Sequence, residues 1–259
     1  MKIDLNSDLG ESTALEQIGY DKEILHCITS ANIACGYHAG DESTMRRTVA
    51  WALEYGVTIG AHISYDDREN FGRRDLDVDP GRLTSDIVFQ LESLCTIAAQ
   101  LGARVEYVKP HGSLYTRITK DEVQARAVVK AIKGFDSKLA LLTMPYGVAA
   151  QVSRENHLIV FGEAYSDRAY DDDGGLVPRS MSGSVISEPD KVCNQALSIV
   201  KTEPITTYSG NQLRLSADSI SLHSDTPGAM ALARQLKTFL EEHGVLIESF
   251  IAGRQRHDL

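Results

Sequence analysis

The hydrophobic pattern of this chain changes period again and again. Short apolar runs alternate with longer segments whose apolar residues recur at helical spacing, and this narrows the fold more than any other feature. Strands are expected at 2–5, 31–34, 57–61, 105–108, 139–142, 158–161 and 219–223. Helices fall between them. Asp41 is placed to cap one with Met45, Val49, Ala52 and Leu53 inward and Gly56 beyond its end. Asp79-Pro80 opens another, with Ile87, Leu91, Leu94 and Ala98 on one face and Gly102 as its stop. Thr119 and Glu122 have capping-box spacing before Val123, Ala127 and Ala131, with Gly134 at the end. A short helix is expected at 146–153 and a longer one at 187–201, with Pro189 in its first turn. Residues 205–215 suggest a hairpin turned at Ser209-Gly210-Asn211. Thr226-Pro227 would start a last helix with Met230, Ala233, Leu236 and Leu240 inward and Gly244 at its end.

Alternating strands and helices mean an α/β fold with a parallel sheet. In 259 residues without a linker or low-complexity segment, they favour one domain over 1–259 and a closed (β/α) barrel. A doubly wound open sheet is the alternative. Neither GxGxxG nor GxxxxGK[ST] occurs, so the common nucleotide-phosphate loops are missing. A net charge of −10 with no basic run argues against nucleic acid or an anionic membrane as partner. The N-terminus has no signal-peptide pattern and no apolar run is long enough to span a bilayer. Cys27, Cys35, Cys95 and Cys193 form no CxxC pair and suggest reduced thiols in a cytoplasmic protein.

The polar residues gather where the expected strands end. Asn6, Asp8 and Glu11 follow the first; Asn32 and His38 accompany the second; His62 and Asp66 follow the third; Lys109 and His111 follow the fourth. Glu163, Asp167 and Arg168 follow the sixth, and His223 and Asp225 the seventh. In a parallel barrel all these positions open on one face, so they should share one mouth. The long segment 164–187 lacks periodicity, which suits a functional loop. Its Asp171-Asp172-Asp173-Gly174 run lacks the ligand pattern of an EF-hand and suggests a solvated acidic loop.

At these residues the chain resembles the LamB/YcsF family. The matching stretches are Asp4 to Glu11 (DLNSDLGE), Ser30 to Asp41 (SANIACGYHAGD), Gly60-Ala61-His62, Phe71-Gly72-Arg73-Arg74, Val108 to Tyr115 (VKPHGSLY), Asp167-Arg168-Ala169-Tyr170, and His223 with Asp225. The resemblance implies a distorted seven-stranded TIM-like barrel similar to the glycoside hydrolase/deacetylase fold. It also implies a subunit of an ATP-dependent hydrolase that opens the cyclic amide of 5-oxoproline to glutamate with partner subunits B and C. The family commonly has Pro where Ile63 and Asp66 stand, Gly at Ser224, and Phe-Ala at Tyr165-Ser166.

For that chemistry Asp8 and His38 are the acid–base candidates, and Lys109 and His111 the electrostatic or proton-transfer partners. Asn6, Glu11, His62 and Arg168 would position the substrate. ATP is the implied co-substrate, and the sequence leaves open which chain contacts it and whether this chain self-associates. No HxxxH or HExxH spacing assigns a metal ligand. A metal-dependent amide or carbohydrate hydrolase, and a lactam- or carbohydrate-binding scaffold for partner chains, are the alternatives.

Overall fold

The computed structural model describes residues 1–12, 15–222 and 228–252, with the backbone alone for 15–19. Six parallel strands run in chain order: β1 (Lys2–Leu9), β2 (Ser30–Ala34), β3 (Thr58–Ile63), β4 (Val105–Pro110), β5 (Ala140–Thr143) and β6 (Val160–Tyr165). An antiparallel hairpin, β7 (Pro204–Thr206) and β8 (Gln212–Arg214), precedes β9 (Ser219–Leu222). β9 pairs in parallel with both β6 and β1, which closes a seven-stranded barrel. A short strand, β10 (Leu246–Ile247), adds to the start of β1.

The helices α1 (Leu15–Ile24), α2 (Glu42–Tyr55), α3 (Pro80–Gln100), α4 (Gly112–Arg117), α5 (Glu122–Phe135), α6 (Val148–Glu155), α7 (Pro189–Val200) and α8 (Ala229–Glu242) lie along the crossovers. The apolar core joins strand residues such as Leu5, Ile33, Ala61 and Val108 to helix residues such as Val49, Leu91 and Val128. Burial of this shell is the main favourable term in the fold.

The other strand face fills the barrel, and it is polar. Asp4, Asn6 and Asp8 alternate on β1 with the core residues Ile3, Leu5 and Leu9. Tyr107 on β4 crosses the lumen to donate to Asn32 on β2 (2.6 Å), and Lys109 reaches Asn6 on β1 (3.2 Å). Asn6 also donates to Ser219 (2.7 Å) and accepts from Asn32 (2.7 Å). Asp4 accepts from Thr29, Ser30 and Ser219 in the lower layer, and burial pushes its carboxyl up to about 6. Gly60 makes the Tyr107 crossing possible, because a Cβ there would lie 2.2 Å from the tyrosine ring. Phe250 and Ile251 pack with Tyr107, Ala140 and Leu142 in a small apolar cluster.

This polar lumen corrects the expected strand bounds. Strands β1, β3, β4 and β6 run on to Leu9, Ile63, Pro110 and Tyr165, past the ends of their apolar runs. Asn6, Asp8, His62, Lys109 and Glu163 therefore lie within strands rather than after them. Helix details also differ. Leu53 and Val123 are exposed, because the inward stripes are Thr44, Met45, Thr48, Val49 and Ala52 in α2 and are centred on Ala125, Val128 and Ile132 in α5. Asp121, not Thr119, caps α5 by accepting from the Gln124 N–H (3.1 Å); the Thr119 hydroxyl donates instead to the Thr116 carbonyl (2.7 Å). Gly134 lies inside α5 rather than at its end. Met230 is only partly buried in α8, and Thr226-Pro227 lie outside the described residues. The expected solvated acidic loop is exposed at Asp172 and Asp173, and Asp172 accepts from Thr207, Ser209 and Asn211 of the hairpin turn. Among the described residues no helix is long and apolar enough to cross a membrane.

Candidate functional site

The C-terminal ends of the strands open into a cavity of about 510 Å³, lined by Asp8, Glu11, His62, Lys109, His111 and Arg168 among others. Six of the eight expected site residues thus share one mouth. Asn6 lies below it, fully buried in the lumen network, and His38 lies behind Glu11 with no side-chain exposure. Asp66 does not join them; it is exposed and pairs with Arg82 on the outside (3.7 Å). His223 and Asp225 lie outside the described residues.

Lys109 is the floor of the cavity. Its Nζ is 2.9 Å from Asp8 Oδ1, 2.8 Å from Glu163 Oε1 and 3.2 Å from Ser221 Oγ. Burial alone would push the ammonium down, but Asp8 and then Glu163 outweigh it and hold Lys109 well above the ordinary lysine range. Burial likewise pushes Asp8 up, yet His62 and Lys109 reverse the balance and hold its carboxyl well below the usual range. Asp8 is therefore ionised at neutral pH, with one edge at the cavity. Glu163 was legible as a strand-end residue but carried no assigned role. Beyond Lys109 it accepts from the Tyr165 hydroxyl (3.0 Å).

The three histidines form a second cluster. His62 Nδ1 faces the Lys109 carbonyl (3.0 Å), and His111 Nε2 faces the Phe71 carbonyl (2.9 Å). A carbonyl only accepts, so both of these nitrogens carry the proton. His62 Nε2 and His111 Nδ1 then face each other at 3.0 Å. His38 stacks on His111 with 3.9 Å between ring centroids, and its Nε2 lies 2.9 Å from Glu11 Oε1. Burial, and then the neighbouring rings, push His111 down to about 3 and His38 well below the ordinary histidine value, so both are neutral. Gly72 lets the 71–73 loop lie over these rings: it has φ +63°, and a Cβ there would sit 2.9 Å from the His111 ring. Glu11, His38, His62 and His111 have donor atoms within 4.8 Å of one another and are the group among the described residues that could hold a metal ion. They come from different strands and loops, which no linear motif would reveal.

Arg168 lines the mouth but spends its guanidinium on the Ser184 and Val177 carbonyls (3.2 and 2.6 Å), holding the long loop in place. Arg73, Lys120 and Arg179, unassigned from the sequence, also line the cavity. The lining thus carries five basic side chains against two carboxylates, in a chain of net charge −10.

Comparison with known proteins places the chain in a family. The profile of the LamB/YcsF family matches residues 3–255. The 5-oxoprolinase A-subunit of Streptomyces avermitilis is 43% identical over 248 residues, covering 96% of this chain and 99% of that protein. The crystal structure of the lactam utilization protein from Thermus thermophilus superposes with a TM-score of 0.90 at 36% identity, covering 96% of this chain and all of that one. A family 4 carbohydrate esterase from Streptomyces lividans, at 13% identity and a TM-score of 0.50 over 95% of this chain and 91% of its own, shares the fold alone.

Proposed function

Because the chain belongs to the LamB/YcsF family, we propose that it is the lactam-handling subunit of an ATP-dependent 5-oxoprolinase. It would open 5-oxoproline to glutamate together with partner subunits B and C. The observation that carries this reading is the charge of the mouth: five basic side chains face two carboxylates. 5-Oxoproline is an anion, and an ATP-activated lactam is more negative still. Arg73, Lys120 and Arg179 supply the positive rim for that charge.

An amide is a weak electrophile with a poor leaving group. Transfer of the terminal phosphoryl group of ATP to the amide oxygen activates the carbon. Water adds there, the C–N bond breaks as the nitrogen takes a proton, and the acyl phosphate left behind is hydrolysed by a second water. Lys109, fixed between Asp8 and Glu163, stabilises negative charge on the substrate oxygen. Asp8 orients the water and takes its proton. Asn6 acts from below by holding Lys109. His38 reaches the cavity only through Glu11, so protons it exchanges pass over that carboxylate. Glu11, His62 and Arg168 shape the pocket that receives the ring, and His111 assists by its position beside Glu11 (3.3 Å).

Reconstitution of the chain with subunits B and C, ATP and 5-oxoproline tests the reading, with glutamate as the readout. Glutamate should form only when all three chains and ATP are present. Failure of this chain to support turnover by subunits B and C that are active with the A-subunit of a relative would refute it.

A further inference from the structure

The hydrogen bonds of the histidine cluster leave an electrostatic mismatch. Backbone carbonyls pin the proton of His62 on Nδ1 and that of His111 on Nε2. With no proton beyond these two, the remaining nitrogens, His62 Nε2 and His111 Nδ1, are bare lone pairs that point at each other across 3.0 Å. Glu11 Oε1, another acceptor, sits 3.3 Å from the His111 nitrogen and 3.6 Å from that of His62. Asp8 Oδ2 adds a fourth acceptor 3.3 Å from His62 Nε2. A single shared proton relieves one line between two of these atoms. A dication relieves all of them.

We propose that Glu11, His38, His62 and His111 bind one divalent ion of the zinc class. The spacings fit. Zinc–nitrogen bonds of about 2.0–2.1 Å put tetrahedral ligand atoms about 3.3 Å apart; four of the six separations among these donors run from 2.9 to 3.6 Å, and all six lie within 4.8 Å, a spread that a small turn of His38 would close. Three imidazoles and one carboxylate suit zinc or cobalt better than magnesium or calcium, which prefer all-oxygen sites. The outer contacts are in place as well: two ligand rings donate their second N–H to backbone carbonyls, which orients them and raises their basicity. His38 is the adjustable member. Its Nδ1 is buried and has no hydrogen-bond partner, and the tautomer with the proton on Nδ1 leaves Nε2 bare for the ion. Asp8, at the edge of the cluster, faces the position where a further ligand or a water would sit.

The inference stands apart from the lactam reading, because it is measured on the full chain without substrate or partner subunits. The protein is stripped with a chelator, dialysed, and titrated with zinc against a chromophoric competitor, and separately with cobalt. We expect one equivalent per chain, and cobalt ligand-field bands of the intensity and wavelength of a four-coordinate nitrogen–oxygen site. His62→Gln and His111→Gln should each weaken zinc binding roughly 100-fold or more, beyond the 10–100-fold typical of losing an outer-sphere partner. Should either variant fail to fold, nitrogen-15 spectra of the wild-type histidines carry the test: zinc must shift His62 Nε2 and His111 Nδ1 while leaving His62 Nδ1 and His111 Nε2 protonated. Less than a tenth of an equivalent bound at excess zinc overturns the proposal. So does wild-type affinity in a folded His62→Gln variant, or a spectrum in which a proton, unmoved by zinc, bridges the two rings.

Discussion

Replacing Lys109 with methionine should cost the protein a large share of its stability. The ammonium is fully enclosed and contacts two carboxylates, Asp8 at 2.9 Å and Glu163 at 2.8 Å. Glu163 has no side-chain exposure, so it cannot turn to water when the cation is removed. Breaking a buried pair from one side typically costs about 3–5 kcal/mol. For a chain of this size, at about 2–4 °C per kcal/mol, that is a melting-temperature drop of roughly 6–20 °C. Denaturant unfolding followed by far-UV circular dichroism measures it. Pairing the change with Glu163→Gln should return more than half of the loss, since one of the stranded charges is then gone. The pH dependence has a fixed sign. Lys109 helps hold Asp8 below its ordinary value, so the stability this supplies is present above about pH 4 and lost as pH falls through the lowered value. In Lys109→Met a desolvated Asp8 protonates more readily, and the gap from wild type should narrow as pH drops from 7 towards 4. A loss under 1 kcal/mol at pH 7, or a gap that widens on acidification, would refute the view of Lys109 as the charge that the lumen is built around.

Three further outcomes follow from the lumen. Burial raises Asp4 to about 6, so the folded state holds its proton more tightly than the unfolded chain; stability should therefore fall as pH rises from about 4 to 6. The stability difference between wild type and Asp4→Asn should drop by roughly 3 kcal/mol between pH 4 and 7, and a flat difference would contradict the assignment. Gly60→Ala drives a methyl group to 2.2 Å from the Tyr107 ring, which its hydroxyl anchors to Asn32; a loss of about 1–3 kcal/mol is expected by thermal melting, and an unchanged melt would show that the ring moves freely. Tyr165→Phe removes one donor from Glu163 and should cost about 1 kcal/mol, with the barrel intact by circular dichroism.

The alternation of periods favoured a closed parallel barrel over an open sheet, because helices such as α3 and α5 carry clear apolar stripes; α1, which has no such stripe, was not legible. The strand ends were harder. Apolar runs mark only part of each strand, because the inward face is Asp4, Asn6 and Asp8 on β1, and His62, Lys109 and Glu163 on the others. The period of two was visible in Asp4-Leu5-Asn6-Ser7-Asp8, read in the opposite sense from a usual barrel. The clustering of polar residues at strand ends placed six of the eight site residues at one mouth. It could not separate Asp66 from the rest, because an exposed ion pair with Arg82 leaves no mark in local sequence. Arg73, Lys120 and Arg179 were not singled out because each stands on a loop or helix whose direction only the tertiary structure sets. The histidine cluster was hidden for the same reason, its members drawn together from β3 and from loops after β1, β2 and β4.

A barrel with hydrogen bonds at its centre also constrains how the chain reaches its final form. An aliphatic lumen would draw incomplete sets of strands together, since any partial contact excludes water from grease. Here Asn6 and Lys109 lose nothing by staying hydrated until the last neighbours arrive, and they reach their partners Ser219 and Ser221 only when β9 takes its place beside β1. The collapse that shapes early folding must then come from the outer layer, where helices meet strand backs. Sealing the ring becomes a late and all-or-none event, with each wrong register leaving charges stranded in a dry place. Slippage by one residue would turn Leu5 and Leu9 into the lumen and Asp4 and Asp8 against the helices, so the buried polar ladder acts as a proofreader of strand alignment.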